Sequence, residues 1–242
     1  MKTMIFAAGL GTRLKPITDS MPKALVPLNG KPLLQILLEK LEQSGCSQAV
    51  INVHHFADMI EEWCHQNPCG VSIEFSDERG ELLETGGGIR HAAHMLEGGR
   101  FLIHNVDILS NADLAHFYRS GEGRAATLLV SERKTQRYLL FNDKMRLVGW
   151  INESTQQVKS PYPNLDPASC QKFAFSGIHQ MDPSLFERFE GWPEKFSIID
   201  FYLAICREVP IYGYVQEGLR LMDVGKLNTL HEAEDFVQTL KG

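Results

Sequence analysis

Two basic residues near the N-terminus follow glycines in a pattern that could bind phosphate. A short apolar run over residues 2–8, predicted to be a strand, ends at Gly9 and Gly11, and Arg13 and Lys23 come soon after. Glycine loops that follow strands bring phosphates against backbone N–H groups. Arginine and lysine supply the charged hydrogen-bond donors that phosphate oxygens accept. This segment therefore predicts a site for a nucleotide's phosphates.

Two common phosphate-binding loops do not match the segment. A Walker loop requires lysine and then serine or threonine directly after its last glycine, whereas Gly11 is followed by Thr12 and Arg13. A dinucleotide-binding fingerprint requires a third glycine where this chain has Leu14. Taken alone, the glycine pair favours a tight turn without a ligand.

Two aspartates end apolar segments that are predicted to be strands. Asp107 follows residues 101–106, with Asn105 just before it, and Asp223 follows residues 219–222. Two carboxylates from different strand ends suit Mg²⁺ on a triphosphate, because the ion keeps water and phosphate oxygens as its other ligands. Either aspartate alone could cap a turn or a helix. Together with the basic loop they predict a magnesium site.

The elements around these residues alternate in the first half of the chain. Strands are predicted over residues 2–8, 49–53, 71–75 and 101–106, and helices over residues 33–41 and 57–65. Such alternation implies a doubly wound, parallel sheet, whose ligands collect at the carboxyl ends of the strands.

A run of three glycines, residues 86–88, is predicted to be a loop that opens a helix. Consecutive glycines are costly inside a helix or a strand, so they mark a place where the backbone approaches something closely. Gly86 and Gly87 therefore mark a place where the backbone is expected to approach another group closely.

The second half of the chain has a different pattern. Strands over residues 125–131, 138–141 and 147–151 follow one another without long intervening helices and predict an antiparallel insertion. After the insertion, strands are predicted over residues 172–179 and 211–215, and helices over residues 183–189, 198–207 and 226–240.

Five short motifs resemble those of one enzyme family. Residues 9–18 (G-L-G-T-R-L-K-P-I-T) and 22–27 (P-K-A-L-V-P) resemble the signature of the sugar-1-phosphate nucleotidyltransferases. Residues 83–89 (L-E-T-G-G-G-I) look most like the N-acetylmuramate-1-phosphate uridylyltransferase and heptose-1-phosphate nucleotidyltransferase branch. Residues 173–178 (F-A-F-S-G-I) are similar to the family's strand on the sugar side. Residues 105–107 match the family's N-x-D motif and residues 223–225 match its D-V-G motif. The resemblance as a whole covers the chain from residue 2 to about residue 236.

The resemblance implies a fold and a reaction. The fold is a Rossmann-like, three-layer α/β/α nucleotidyltransferase fold with a mostly parallel central sheet and a small antiparallel sugar-binding lobe. We expect one domain over residues 1–242, with the nucleotide part at about 1–122 and the sugar-binding and closing part at about 123–242. The reaction is transfer of a nucleoside monophosphate from an NTP, with UTP as the expected donor, to a sugar 1-phosphate, which gives an NDP-sugar and pyrophosphate.

The resemblance also implies residue roles. Arg13 and Lys23 would be catalytic, and Asp107 and Asp223 would hold Mg²⁺. The nucleotide would be bound by Ala7, Ala8, Gly9, Gly11, Thr12, Gly86, Gly87 and Asn105, and the sugar by Gly177 and Glu153. The family's E-K-P lysine has no counterpart over residues 149–154. Lys195 could replace it, although a solvated lysine is the favoured interpretation.

Other substrates and one other function fit the same motifs. The base and sugar could instead belong to a guanylyl-, thymidylyl- or cytidylyltransferase acting on mannose, heptose or glucose 1-phosphate or on phosphocholine. A non-catalytic nucleotide-sugar sensor is the alternative of another class. The four charged residues Arg13, Lys23, Asp107 and Asp223 argue against it, because a sensor does not need both metal carboxylates.

Composition limits the setting and the partners. The 24 Lys and Arg against 30 Asp and Glu give a net charge of −6, which argues against a nucleic-acid partner. Since no apolar run approaches the roughly 20 residues that span a bilayer, no membrane association is expected. Five cysteines without a CxxC pair predict neither disulfides nor zinc and favour the cytoplasm. A monomer or small homo-oligomer is expected.

Overall fold

The computed structural model describes residues 1–240 of the chain. Its strands are β1 (Lys2–Phe6), β2 (Pro27–Leu28), β3 (Lys31–Pro32), β4 (Gln48–Val53), β5 (Ser72–Asp77), β6 (Phe101–Asn105), β7 (Ile108–Ser110), β8 (Ala126–Ser131), β9 (Arg137–Phe141), β10 (Leu147–Asn152), β11 (Gln157–Lys159), β12 (Gln171–Met181), β13 (Ile211–Val215) and β14 (Leu221–Asp223). Its helices are α1 (Leu33–Gln43), α2 (Ala57–Gln66), α3 (Glu84–His91), α4 (Leu114–Ser120), α5 (Ile198–Ile205) and α6 (Leu230–Thr239).

One large sheet runs through the molecule in the order β11-β10-β9-β12-β6-β1-β4-β5, and β8 and β13 join it beside β12. Strands β6, β1, β4 and β5 are parallel to one another. Strand β12 runs antiparallel to β6, β8 and β9 and extends the sheet into an antiparallel lobe of β9, β10 and β11. The predicted α/β fold with a small antiparallel lobe is confirmed.

Helices cover both faces of the parallel part of the sheet. On one face, Met4 of β1 and Val50 of β4 pack in an apolar cluster with residues of α3 and α5. On the other face, Ile5 and Ile51 of the same strands pack with residues of α1, α2 and α4. Successive strand residues point to opposite faces, so apolar residues at every position of a strand bury both of its sides. This arrangement produces the three layers.

Strand β12 changes partners along its length. Residues 171–173 pair with β9 in the lobe, whereas residues 178–181 pair with β6 in the central sheet. Between them Gly177 has φ +73°, a conformation that favours glycine. A methyl group at Gly177 would lie only 2.9 Å from Nδ2 of Asn105. Gly177 therefore forms the bend that joins the lobe to the central sheet.

The glycine run differs from its predicted conformation, because residues 86–88 lie inside α3 rather than in a loop before it. The backbone N–H of Gly86 donates to the Phe196 carbonyl at 2.8 Å. A methyl group at Gly86 would lie 2.3 Å from Cε2 of Phe196, and one at Gly87 would lie 2.2 Å from the Glu194 carbonyl oxygen. The close approach that the glycines permit is to the chain's own 194–196 segment.

Several other elements depart from the predictions. The closing helix α6 begins at Leu230, after a 3-10 turn over Leu227–Thr229, and Pro183–Phe189 is a 3-10 helix. The short elements β7, β11 and α4 were not predicted, because three to seven residues carry little periodicity. None of the helices within residues 1–240 has both the length and the apolar character that crossing a membrane requires.

Candidate active site

The glycine loop that follows β1, residues 7–12, is held in place by the side chain of Asn52 in β4. Asn52 Oδ1 accepts hydrogen bonds from the backbone N–H groups of Ala7 and Ala8 at 2.7 and 3.2 Å. Its Nδ2 donates to Oε1 of the buried Glu78 at 2.8 Å, and Glu78 Oε2 accepts from the Leu83 N–H at 3.2 Å. Burial raises the pKa of Glu78, and the hydrogen bond from Asn52 opposes this rise. Glu78 therefore fixes the orientation of the Asn52 side-chain amide, and that amide holds the glycine loop in place.

Gly11 gives the loop a sharp turn. Its φ of +62° is the left-handed conformation that glycine adopts without strain. A methyl group there would lie 2.9 Å from Cγ2 of Thr18, whose hydroxyl donates to the Gly11 carbonyl at 2.8 Å. This packing brings the glycine turn close to Lys23, since the same methyl group would lie 3.2 Å from Cβ of Lys23.

Lys23 and Asp107 form an ion pair in the structure. Lys23 opens a 3-10 turn, Lys23–Leu25, directly after Pro22, and Asp107 follows β6 at the carboxyl edge of the sheet. Only 10% of the lysine side chain and 20% of the aspartate side chain are exposed. The ion pair thus lies in a recess, where charges are screened less than at an open surface.

Pairing between β7 and β14 brings the two aspartates together. Asp223 stands opposite Ile108 in this antiparallel pair, and Ile108 is the neighbour of Asp107. The Val224 N–H also donates to the Asp107 carbonyl at 2.9 Å. Two aspartates that are 116 positions apart in the chain therefore meet at one edge of the sheet.

Arg13 reaches the same edge. A methyl group at Gly225 would lie 2.8 Å from Nη2 of Arg13 and 2.7 Å from Oδ1 of Asp223. Both charged groups therefore rest against this glycine. Burial raises the pKa of Asp223, the Asp107 carboxylate raises it further, and nearby cations, Arg13 among them, lower it.

The loop and these charged residues enclose a cavity of about 440 Å³. Nine of the predicted site residues line it: Ala7, Ala8, Gly9, Gly11, Thr12, Arg13, Lys23, Asn105 and Asp107. Asp223 lines an adjoining cavity that shares Arg13 and Gly225 with the first. The structure thus places the predicted catalytic, phosphate-binding and metal-binding residues around one continuous recess.

Four predicted residues lie elsewhere. Gly86 and Gly87 are packed inside α3, and Gly177 forms the bend of β12. Glu153 lies on the lobe with its carboxylate 3.0 Å from Nζ of Lys172. The predicted contacts of these four residues with nucleotide and sugar stay predictions.

The structure adds residues that the sequence analysis did not single out. Asn52, Glu84 and Thr85 line the first cavity, and Arg133 and Arg137 line the adjoining one. Asn52 could have been found, because it is a polar residue at the carboxyl end of an apolar strand, as Asn105 is. The two arginines belong to no motif and had no such signal.

The acidic residues at this edge suit magnesium. Within residues 1–240 no cluster of three or more His, Cys, Asp or Glu side chains could form a complete metal cage. Mg²⁺ commonly binds through one or two carboxylates and completes its octahedral coordination with water and phosphate oxygens. Asp107 and Asp223 provide that donor set, and they lie close enough for the Asp107 carboxylate to raise the pKa of Asp223.

The recess lies at the carboxyl edge of the parallel sheet, which is where open α/β sheets commonly bind their ligands. The family model for nucleotidyl transferases matches residues 2–239. The chain therefore belongs to the nucleotidyl transferase family, and it is an enzyme of the sugar-1-phosphate nucleotidyltransferase type, which serves nucleotide-sugar biosynthesis.

Named relatives agree with this assignment. An N-acetylmuramate alpha-1-phosphate uridylyltransferase of Neisseria meningitidis is 40% identical over 236 residues, which cover 97% of this chain and 97% of that protein. A protein of the same name from Caulobacter vibrioides is 45% identical over 107 residues, 43% of this chain and 44% of that protein.

A solved structure has the same fold. HddC from Yersinia pseudotuberculosis, complexed with GMP-PN, superposes with a TM-score of 0.76 at 23% identity, over 98% of this chain and 99% of that one. The three-layer architecture therefore extends over almost the whole chain.

Proposed function

We propose that the enzyme transfers UMP from UTP to N-acetylmuramate 1-phosphate, releasing pyrophosphate, in a magnesium-dependent reaction. The observation that carries the proposal is the convergence of Arg13, Lys23, Asp107 and Asp223 on the recess beside the glycine loop. The choice of UTP and of this acceptor is supported by the name of the relative from Neisseria meningitidis.

The chemistry is a direct displacement at the α-phosphorus of the nucleotide. A phosphate oxygen of the acceptor forms a bond to that phosphorus while the bond to the bridging oxygen of the β-phosphate breaks, and pyrophosphate leaves. No enzyme nucleophile is required. The protein therefore accelerates the step by positioning the two phosphates and neutralising their charge.

The basic residues have separate tasks in this proposal. Arg13 binds the β- and γ-phosphates, because its guanidinium can donate two parallel hydrogen bonds to phosphate oxygens. Lys23 leaves its ion pair with Asp107 and stabilises the charge that develops on the α-phosphate. The ion pair seen here thus keeps the lysine at the reacting position before substrates bind.

The acidic residues and the loop complete the site. Asp107 and Asp223 would hold Mg²⁺, which supplies positive charge to the phosphate oxygens when it is bound. The backbone from Ala7 to Thr12 faces the nucleotide, and Asn52 keeps that backbone in place. We propose contacts to the nucleotide from Asn105, Gly86 and Gly87 and to the sugar from Gly177 and Glu153 as well. The cytoplasmic setting and the oligomeric state remain predictions.

A substrate panel tests the proposal. Pyrophosphate release is measured with each of the four common NTPs against N-acetylmuramate, N-acetylglucosamine, glucose, mannose and heptose 1-phosphates and phosphocholine, with and without Mg²⁺. We expect the highest kcat/KM with UTP and N-acetylmuramate 1-phosphate and no release when the metal is chelated. Preference for another pair would assign another nucleotidyl transfer, whereas nucleotide binding without release from any pair would favour a sensor.

A further inference from the structure

A separate cavity of about 410 Å³ opens between the antiparallel lobe and the start of α5. Arg133, Thr135 and Arg137 line it and also line the cavity that contains Asp223. The two cavities are therefore neighbours, and their shared wall includes two arginines. A molecule in the lobe cavity would lie next to the proposed reacting phosphates.

One face of the lobe sheet forms the floor of this cavity. Leu139 of β9 stands opposite Trp150 of β10, and Trp150 stands opposite Lys159 of β11. Arg137 lies two residues before Leu139 on the same strand, so it belongs to the same face. All four residues line the cavity. The floor thus offers an aromatic and aliphatic surface with cationic groups at its margins, which suits a sugar ring that carries negative charge.

The basic side chains of the lobe cavity differ in whether they already have a hydrogen-bond or ion-pair partner. Lys159 Nζ lies 2.7 Å from Oδ1 of Asp200 and 5.4 Å from the centre of the Trp150 ring. One Nη of Arg133 donates to the Phe175 carbonyl at 3.1 Å. The guanidinium of Arg137 has no hydrogen-bond or ion-pair partner among the described residues 1–240. Arg137 therefore has its whole set of donors available to a ligand.

The charge of the cavity also favours an anion. Three basic side chains, those of Arg133, Arg137 and Lys159, line it against the single carboxylate of Asp200 among the described residues. A planar guanidinium binds a carboxylate through two parallel hydrogen bonds. The lobe cavity is thus equipped for an acidic group in addition to the phosphate that must reach Asp107 and Asp223.

We propose that Arg137, with Lys159 beside it, binds a carboxylate carried by the acceptor's sugar ring and so selects sugar-acid 1-phosphates over neutral ones. This inference rests on the proposed function, because it places the acceptor's ring on the floor near Trp150 and its phosphate toward Asp223. Arg137 is then a residue that determines specificity.

The test compares two acceptors that differ by the carboxylate. N-acetylmuramate 1-phosphate carries a lactyl ether that N-acetylglucosamine 1-phosphate lacks. Arg137→Met keeps most of the side chain's length and removes its charge. We expect kcat/KM for the acidic acceptor to fall by about 10- to 100-fold, mainly through KM, as for loss of a charged hydrogen bond. The value for the neutral acceptor should change less than about twofold, since an exposed arginine contributes little to stability.

Two further variants serve as controls. Arg137→Lys keeps a positive charge without the two-pronged donor geometry, so we expect it to retain part of the preference for the acid. Arg188→Met removes an exposed arginine that pairs with Glu208 at 3.0 Å, and neither acceptor should respond to it. Circular dichroism melts check that all variants fold.

Equal losses on both acceptors would overturn the inference, because they would assign Arg137 to the shared phosphate or to the fold. Unchanged kinetics on both would overturn it as well. If the wild type released no pyrophosphate with any pair of NTP and acceptor, the proposed function would fail separately. The affinity for each acceptor, measured through quenching of tryptophan fluorescence, would then decide whether Arg137 prefers the acid. Trp150→Phe is the control for the fluorescence signal.

Discussion

The two sides of the recess are built in different ways. The nucleotide side is the part of the recess formed by the glycine loop, Lys23 and Asp107, and other protein groups hold it in place. Asn52 accepts hydrogen bonds from the N–H groups of Ala7 and Ala8, and Lys23 is paired with Asp107. On the acceptor side, Arg137 is exposed and unpaired among residues 1–240. We infer that the residues around the phosphates are already in position before substrates bind, and that the choice of acceptor depends on the more open surface around Arg137.

The largest expected effect comes from the centre of the nucleotide side. Lys23→Met should lower kcat by about 10²- to 10³-fold, the usual cost of removing one group that stabilises transition-state charge. Lys15→Met is the matched control, because Lys15 lies in the same segment but pairs with Asp19 at an exposed position. Steady-state kinetics on both variants measure the difference. Near-normal turnover of Lys23→Met would remove this lysine from the reacting position.

A smaller effect is expected from the carboxylates. Asp107→Asn and Asp223→Asn should each raise the Mg²⁺ concentration for half-maximal activity by roughly tenfold or more, in the range seen when metal-site groups are altered. Titration of activity with Mg²⁺ measures this shift, and the exposed Asp143→Asn serves as the control. Superimposable titration curves would exclude the two aspartates as metal ligands.

The support beneath the loop should affect both stability and nucleotide binding. Asn52→Ala leaves the N–H groups of Ala7 and Ala8 and the Glu78 carboxylate without their partner, which should cost about 1–3 kcal/mol of unfolding free energy. Because the loop loses its anchor, the KM for the nucleotide should also rise. Urea denaturation and kinetics measure the two effects. Asn67→Ala removes one exposed hydrogen bond at a helix end, so it should change the unfolding free energy by no more than about 0.5 kcal/mol and leave the KM unchanged. An equally small effect of Asn52→Ala would argue against preorganisation.

The smallest effect on catalysis is expected at the glycine run. Gly86→Ala places a methyl group against Phe196 and should lower stability by about 1–3 kcal/mol through overpacking. The proposed nucleotide contact of this glycine is made by its backbone, so the KM for the nucleotide should rise only slightly; a KM equal to that of the wild type would show that the glycine serves packing alone. Gly80→Ala is the control, because its methyl group would meet nothing within 4 Å. A selective rise in KM with unchanged melting would instead support the predicted nucleotide contact.

Sequence predicted the parts of the site that depend on local pattern. The strand-glycine-basic segment ending at Lys23 and the strand that leads to Asp107 could be identified because apolar runs and glycines are local signals. That Asp107 and Asp223 share one site was predicted as well, but the pairing between β7 and β14 that brings them together was not. Such non-local pairing leaves no mark in either segment by itself.

The remaining differences have physical causes that only the folded chain reveals. The glycine run was predicted to mark a close approach, and the group that a methyl group at Gly86 would meet is Phe196, from a distant part of the chain. The contact of the glycine run with the nucleotide stays a prediction. Arg133 and Arg137, from the segment that leads into the antiparallel lobe and from its strand β9, line the same cavity as Asp223. Exposed arginines are common on surfaces, so their position could not be distinguished in advance.

Direct transfer of the nucleotidyl group is the central claim, and it can be followed with UTP labelled at the α-phosphate. Enzyme and Mg²⁺ are incubated with the labelled UTP, with and without N-acetylmuramate 1-phosphate, and the label is located after separation of protein from small molecules. The account predicts that the label enters a nucleotide sugar only when the acceptor is present, in equal amount with pyrophosphate, and that none stays on the protein. Label bound covalently to the enzyme, or pyrophosphate released at the same rate without acceptor, would contradict it.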